Sequence, residues 1–278
     1  MTKLRIRLYL CLAAVLWTAA PARAQFQPRP IDTAPDAESY HFEGSVGIWF
    51  PSSDMTVTSA GSGALKGLAG TSINAENDLG LPSSERFPEF QLTLRPARSH
   101  KLRMQLVPIQ STGSATVTRD IVFNGQRYRF GTPVNSTLDW KAWRFNYEYD
   151  FITKARGYGG FIVEAKYTDV RVDLAAPVLG LAEFAQARAP IPALGGVVCV
   201  YVVPSVSISG EVTAFKLPTV ENKYAGHYVD LDIYSTYNFN RYIGARGGYR
   251  MLDLGYLVNQ DTGSFTLNGL YFAAVVRY

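Results

Sequence analysis

Along much of this chain, apolar residues recur at every second position. Trp143, Phe145, Tyr147, Tyr149 and Phe151 occupy one parity, and Arg144, Asn146, Glu148 and Asp150 the other. The pattern returns in Val229, Leu231, Ile233, Tyr237 and Phe239 against Tyr228, Asp230, Asp232, Tyr234 and Asn238. Phe90, Leu92 and Leu94 alternate with Glu89, Gln91, Thr93 and Arg95, and Leu102, Met104 and Leu106 with Lys101, Arg103 and Gln105. A period of two marks a β-strand with two unlike faces. No amphipathic helix of useful length interrupts the series. The pattern predicts ten strands: Tyr40–Phe50, Glu89–Pro96, Lys101–Ile109, Leu138–Phe151, Tyr158–Val172, Pro192–Val203, Ser205–Lys216, His227–Phe239, Tyr242–Leu257 and Ser264–Tyr278. Eight and twelve remain open as counts.

The connections between these strands alternate in length. Short links fall at Ala97–Ser99, Ile152–Gly157, Pro204 and Asn240–Arg241. Longer ones fall at Pro51–Pro88, Gln110–Thr137, Asp173–Ile191, Leu217–Gly226 and Asn259–Gly263. In an up-and-down barrel, successive connections lie at opposite ends, and transmembrane barrels have short turns on one side and long loops on the other. The expected fold is therefore all-β: a single antiparallel up-and-down transmembrane β-barrel over residues 39–278, with both strand termini at the short-turn end.

Parity alone does not say which face meets lipid. Two features favour apolar outside. The apolar face is crowded with Trp, Phe and Tyr, more bulk than a small barrel interior holds. The polar face alternates glycine with long charged residues, as in Gly244, Arg246, Gly248 and Arg250, which suits a narrow filled lumen.

The last strand adds a resemblance. Leu270, Phe272, Ala274, Val276 and Tyr278 share one parity and finish on an aromatic residue. This resembles the closing strand of bacterial outer-membrane β-barrels, where it serves as the assembly signal. The segment Gly70-Thr71…Asn77-Asp78-Leu79-Gly80-Leu81 and the glycine-rich run Tyr242-Ile243-Gly244-Ala245-Arg246-Gly247-Gly248-Tyr249-Arg250 are similar to those of a loose family of uncharacterised small outer-membrane barrels. The resemblance covers about Tyr40 to Tyr278. It implies the outer membrane of a diderm, Gram-negative bacterium, with outer-membrane lipid and the barrel assembly machinery, engaged through the strand ending at Tyr278, as partners. It carries no activity.

The N-terminal stretch agrees with export. Lys3, Arg5 and Arg7 precede an apolar run from Leu8 to Ala20, followed by Ala22-Arg23-Ala24. This reads as a secretory signal peptide, residues 1–24, cleaved after Ala24. Cys11 follows Tyr9 and Leu10, not the small residue a lipoprotein signal requires. Residues 25–38, with Pro28, Pro30 and Pro35, read as a flexible periplasmic lead-in.

Four of the 27 basic residues lie in the signal, which leaves 23 against 23 acidic residues. A basic surface for nucleic acid is thereby excluded. Cys199, the one cysteine left, lies in an apolar run and reads as a buried thiol.

The candidate chemistry is inward-facing charge. The polar parity holds Arg95, Lys101, Arg103, Arg144, Lys166, Arg246, Arg250 and Arg277 against Glu89, Glu148, Asp150, Glu164, Glu211, Asp230 and Asp232. Arg144, Glu148, Glu164, Lys166, Asp230, Asp232, Arg246 and Arg250 are the expected lumen charge network. The hairpin register is expected to set Arg246 beside Asp232 or Tyr234, and Arg250 beside Tyr228 or Asp230. Such pairs either stopper the lumen or line a polar path.

Outside the barrel, Asn124-Gly125 predicts a two-residue hairpin, with the third and fourth strands projecting as a ribbon. Gly61 to Gly70 reads as a mobile surface loop. Asp173–Ala189 is unusually apolar for a loop, and Leu179, Leu181 and Phe184 form a candidate apolar mouth loop. Catalysis is not expected, since His41, His100 and His227 are dispersed, and neither a metal site nor a cofactor motif is legible. Three readings stand: a structural or surface-interacting barrel with a charge-plugged lumen, a narrow channel or transporter for small or apolar solutes, and, more weakly, a lipid-modifying enzyme.

Overall fold

In the computed structural model, which describes residues 39–59 and 70–278, the alternating segments form ten long strands. They are β1 (Phe42–Thr58), β2 (Phe87–Ala97), β3 (His100–Thr116), β4 (Pro133–Lys154), β5 (Gly157–Ala176), β6 (Leu181–Val203), β7 (Val206–Val220), β8 (Tyr224–Asn238), β9 (Ile243–Val258) and β10 (Asp261–Arg277). Each pairs antiparallel with its neighbour in sequence, and β10 closes the ring on β1, with Gly44 opposite Val276 and Phe50 opposite Leu270. The barrel thus has the predicted topology and ten staves. The signal segment and lead-in, residues 1–38, and nearly all of the Gly61–Gly70 loop lie outside the described residues.

The faces fall as parity requires. Phe145, Phe272 and Val276 are exposed on the outside, Trp143 and Tyr147 are half-buried there, and Arg144, Glu148 and Arg250 are buried within. Phe90, Leu92, Leu94, Leu102 and Met104 extend the apolar outer band onto β2 and β3. An apolar surface this continuous has lipid as its natural solvent.

Higher on the strands the pattern inverts. On β4, Asn135, Thr137, Asp139 and Lys141 now face outward, while Val134, Leu138, Trp140 and Ala142 point inward and are buried. On β5, Asp169, Arg171 and Asp173 face out, and Val170, Val172 and Leu174 face in. The inversion marks a change of outside solvent from lipid to water. A strand of 22 residues such as β4 is about twice as long as the ~9–11 tilted residues needed to cross a bilayer. The staves therefore stand well clear of the membrane on the external side.

This corrects the predicted long connections. Asp173–Ile191 is mostly strand: β5 runs to Ala176, a single 3₁₀ turn covers Pro177–Leu179, Gly180 takes a left-handed φ of 64°, and β6 begins at Leu181. Leu217–Gly226 and Asn259–Gly263 likewise shrink to turns at Glu221–Lys223 and Asn259–Gln260, with Glu221, Asn222 and Asn259 at positive φ. The apolar mouth loop is thus not a loop. Leu179 sits in the exposed turn, Leu181 opens β6 half-buried, and Phe184 faces outward from β6 beneath the Arg171 guanidinium, 4.3 Å from its ring.

Two other segments fill the external mouth. Residues Ser72–Asn74 pair with the top of β1, and the following turn buries Leu79 and Leu81. Asp78 accepts from the Asn74 amide at 2.8 Å and is bridged to Arg119 at 2.7 Å. The predicted Asn124-Gly125 hairpin forms between Ile121–Phe123 and Gln126–Tyr128, with both turn residues at positive φ as a type I′ turn requires. β3 and β4 do continue as a paired ribbon to Thr116 opposite Pro133. The hairpin tip, however, folds inward: Ile121, Phe123 and Tyr128 are buried, and the Tyr128 hydroxyl donates to the Leu174 carbonyl at 3.1 Å. Burial and the nearby Glu183 push that hydroxyl's pKa up to about 12, so it stays a donor.

Candidate functional site

Below the inversion, the lumen is crossed by a bonded layer of charge. Its centre is Asp230 on β8, which accepts from Arg250 on β9 at 2.7 Å and from the Tyr228 hydroxyl at 2.8 Å. Arg144 on β4 and Lys166 on β5 approach the same carboxylate at 3.4 and 3.6 Å. Arg144 also holds Glu164 at 2.6 Å and donates to Gln105 at 2.8 Å. The Lys166 ammonium donates to the Tyr228 hydroxyl and lies over its ring. Since β4 and β5 stand across the ring from β8, these contacts tie opposite walls together.

Two further clusters lie toward the short-turn end. Lys101 on β3 pairs with Glu148 at 2.6 Å and with Asp150 at 3.1 Å. Arg103 contacts Glu148 and reaches across the lumen to Glu211 on β7 at 2.7 Å, where the Tyr234 hydroxyl also donates. Glu43 on β1 binds Arg277 at 2.6 Å and Arg246 at 2.8 Å. A charge removed from water needs a partner of this kind, because an uncompensated buried ion costs several kcal/mol.

Five of the eight network residues named from the sequence, Arg144, Glu164, Lys166, Asp230 and Arg250, meet in the central cluster. Glu148 joins the Lys101 cluster and Arg246 the Glu43 cluster, while Asp232 accepts the Tyr271 hydroxyl at 3.1 Å. The predicted facing pairs are corrected. Arg246 stands opposite Thr236, and Arg250 opposite Asp232. The cause is the turn, which uses four residues from Phe239 to Tyr242, with the Asn240 side chain accepting from the Tyr242 and Ile243 amides. Arg250 still reaches Asp230 along the diagonal.

Sequence reasoning missed Glu43 and Tyr271 as members of the network, gave Gln105 an inward parity but no partner, and named Tyr228 and Tyr234 only as alternative neighbours of Arg250 and Arg246. Glu43 shares a parity with Ser45 and Trp49 beneath outward Val46 and Ile48, so its inward aim was recoverable. Tyr228 and Tyr234 stood on the acidic parity, where a buried hydroxyl seeks a partner. Gly248 makes room for Tyr234 and Tyr271: a Cβ there would lie 2.7 Å from each.

The layer leaves little space. The gap bounded by Glu43, Lys101 and Arg246 measures about 40 Å³, and that between Arg103, Glu211 and Asp232 about 10 Å³. Among the described residues, no group of three or more His, Cys, Asp or Glu side chains is placed to hold a metal ion. His41 contacts the Arg95 carbonyl at 3.2 Å, His100 the Tyr147 hydroxyl at 2.7 Å, and His227 the Asp253 carboxylate at 3.2 Å. Cys199 is a buried thiol.

No family model matches the chain. No curated protein matches it either. Solved structures do. The outer membrane protease OmpT from Escherichia coli aligns at 7% identity over 85% of this chain and 96% of its own, with a TM-score of 0.55. Ail, the attachment invasion locus protein of Yersinia pestis, aligns at 6% identity over 84% and 99%, with a TM-score of 0.37. The Pseudomonas putida toluene transporter TodX aligns at 8% identity over 89% and 93%, with a TM-score of 0.33. At such identities the likeness is one of fold. Together with the apolar outer band, the OmpT match defines the class: the chain is an integral β-barrel protein of the outer-membrane type.

Proposed function

We propose that this protein is a closed, non-catalytic outer-membrane barrel with a structural or surface-interacting role and a lumen that does not conduct. One observation carries the reading: side chains bridge opposite walls, Arg103 to Glu211 and Arg144 to Asp230, so the lumen's cross-section is spent on bonded charge. A barrel of about this size is just filled by its own side chains. The inserted hairpin and the Leu79–Leu81 turn lie above that layer. The non-catalytic reading rests on the dispersal of the three histidines, His41 beside β1, His100 on β3 and His227 on β8, and on the lack of a serine, threonine or cysteine among their side-chain hydrogen-bond partners in the described residues.

Planar-bilayer recording of the refolded protein tests this. Little or no conductance is expected, and replacing Arg246 and Arg250 by alanine is expected to raise it or to lower stability. A large, steady conductance in the unmodified protein would support the channel reading and turn the inward charges into selectivity residues.

A further inference from the structure

The barrel wall is not bonded all the way round. The β6–β7 ladder runs from Val203 opposite Val206 to Leu194 opposite Ala214 and stops there. Both strands go on. β6 continues to Leu181 paired only with β5, and β7 continues to Val220 paired only with β8. Pro190 and Pro192 on β6 and Pro218 on β7 belong to these unpaired lengths, and proline has no N–H to give a ladder, which confines it to sheet edges. The split starts just below the level where the outer face turns polar, since Pro190 stands opposite Tyr167 and Arg188 opposite Asp169.

Behind the split lies a mostly apolar cavity of about 410 Å³, within the roughly 300–1,000 Å³ range of small-molecule sites. Its walls include inward-facing Ile191, Phe215 and Phe265 and also outward-facing Arg188 and His227. A cavity lined by both parities passes through the wall. Three ionisable side chains stand at its rim, Arg188, His227 and Asp261, and none is without a partner: Arg188 is bridged to Asp169 at 3.0 Å and His227 contacts Asp253 at 3.2 Å.

We infer that this cavity is a binding site for an uncharged apolar small molecule, such as a medium-length hydrocarbon, that enters sideways between β6 and β7. Because Arg188 and His227 already have carboxylate partners outside the cavity and the rest of the lining is mostly apolar, the ligand brings no charge. The site lies above the charged layer, so occupancy requires no path through the lumen and is compatible with a closed barrel.

The experiment uses the protein refolded into liposomes without residues 1–24, which carry Trp17, and with Trp49 and Trp143 replaced by phenylalanine so that Trp140 reports alone. Its ring packs 5.7 Å from that of Phe265, which lines the cavity. Added 1-bromodecane is expected to quench Trp140 saturably by at least twofold, and excess unbrominated decane to reverse the quenching. Filling the cavity with Ile191→Phe or Val172→Phe, in barrels shown to be folded by heat-dependent gel mobility, is expected to weaken the effect at least fivefold. A second arm with bromine on the lipid acyl chains separates a leaflet source from a free hydrocarbon. Quenching that rises without saturation, is not reversed by decane and ignores the fillings would mean simple bilayer partitioning and would overturn the site. So would an unquenched Trp140 in liposomes where a Trp143-only protein is quenched.

Discussion

On β4, Arg144 and Trp140 point into the same interior from adjacent stretches of one strand, yet they belong to regions held closed by opposite chemistry. Around Arg144, buried ions satisfy one another across the lumen while aromatic residues outside meet lipid. Around Trp140, an apolar core of Leu138, Phe265 and Leu267 sits inside while Asp139 and Lys141 outside meet water. One backbone architecture supports both because side chains alternate regardless of their chemistry. The lesson is that parity decides which way a residue points, and the surrounding solvent decides which parity is apolar. In the lower region the strand resembles a membrane barrel, and in the upper region a soluble barrel with an apolar core.

The comparison breaks most visibly where charge is removed from the lower region alone. Asp230→Ala leaves Arg250, Arg144 and Lys166 without their shared carboxylate. Losing one partner of a buried ion network costs about 3–5 kcal/mol, and denaturant titration of the refolded barrel should show a loss of that size. A loss near zero would mean that water or another acid takes over.

A second pair of variants holds face and strand constant and changes only the outside solvent. Tyr147→Arg places a cation against lipid and is expected to cost about 2–4 kcal/mol. Thr137→Arg, outward on the same strand but above the inversion, should fall within about 0.5 kcal/mol, as at an ordinary exposed site. Equal losses would erase the boundary.

The smallest effect belongs to the mouth. Gly125 has a φ of 81°, and alanine there meets a left-handed penalty of about 1–2 kcal/mol. Local opening of the hairpin in this variant should accelerate hydrogen exchange at Val122 and Tyr128 while the global unfolding midpoint barely moves. Matching shifts in both would make the hairpin part of the cooperative core.

How far the chain could be read follows from the same inversion. The lower staves were legible because outward Phe145 and Tyr147 alternate with inward Arg144 and Glu148, and lipid outside makes that contrast extreme. Strand count, closure and the inward aim of the charges all followed. The strand read as Tyr158–Val172 stops four residues short of Ala176, and the top of β6 from Leu181 to Ile191 reads as a loop, because above Tyr167 the polar residues Asp169, Arg171 and Asp173 face out and Val170, Val172 and Leu174 face in, and the contrast that marks the lower staves is reversed. Turn length at Asn240 set the register of Arg246 and Arg250, and nothing in the strands themselves encodes it. The transverse pairs were illegible for a different reason: Arg103 and Glu211 lie 108 residues apart, and only closure of the ring brings them face to face. The split between β6 and β7 had a trace in Pro190 and Pro192, which suit a strand edge but in the sequence read only as the end of a loop and the start of a strand.

The account depends on the outer surface of β4 changing solvent near Lys141. Spin labels placed singly at Phe145, Tyr147, Asp139, Thr137 and Asn135 in liposome-inserted protein test it directly, with collisional access measured for oxygen and for a water-soluble nickel chelate. Labels at Phe145 and Tyr147 are predicted to favour oxygen, and those at Asp139, Thr137 and Asn135 to favour the chelate, with the crossover between Trp143 and Asp139. If Thr137 and Asn135 proved as oxygen-accessible and chelate-shielded as Tyr147, lipid would surround the whole strand and the two-solvent reading would be wrong.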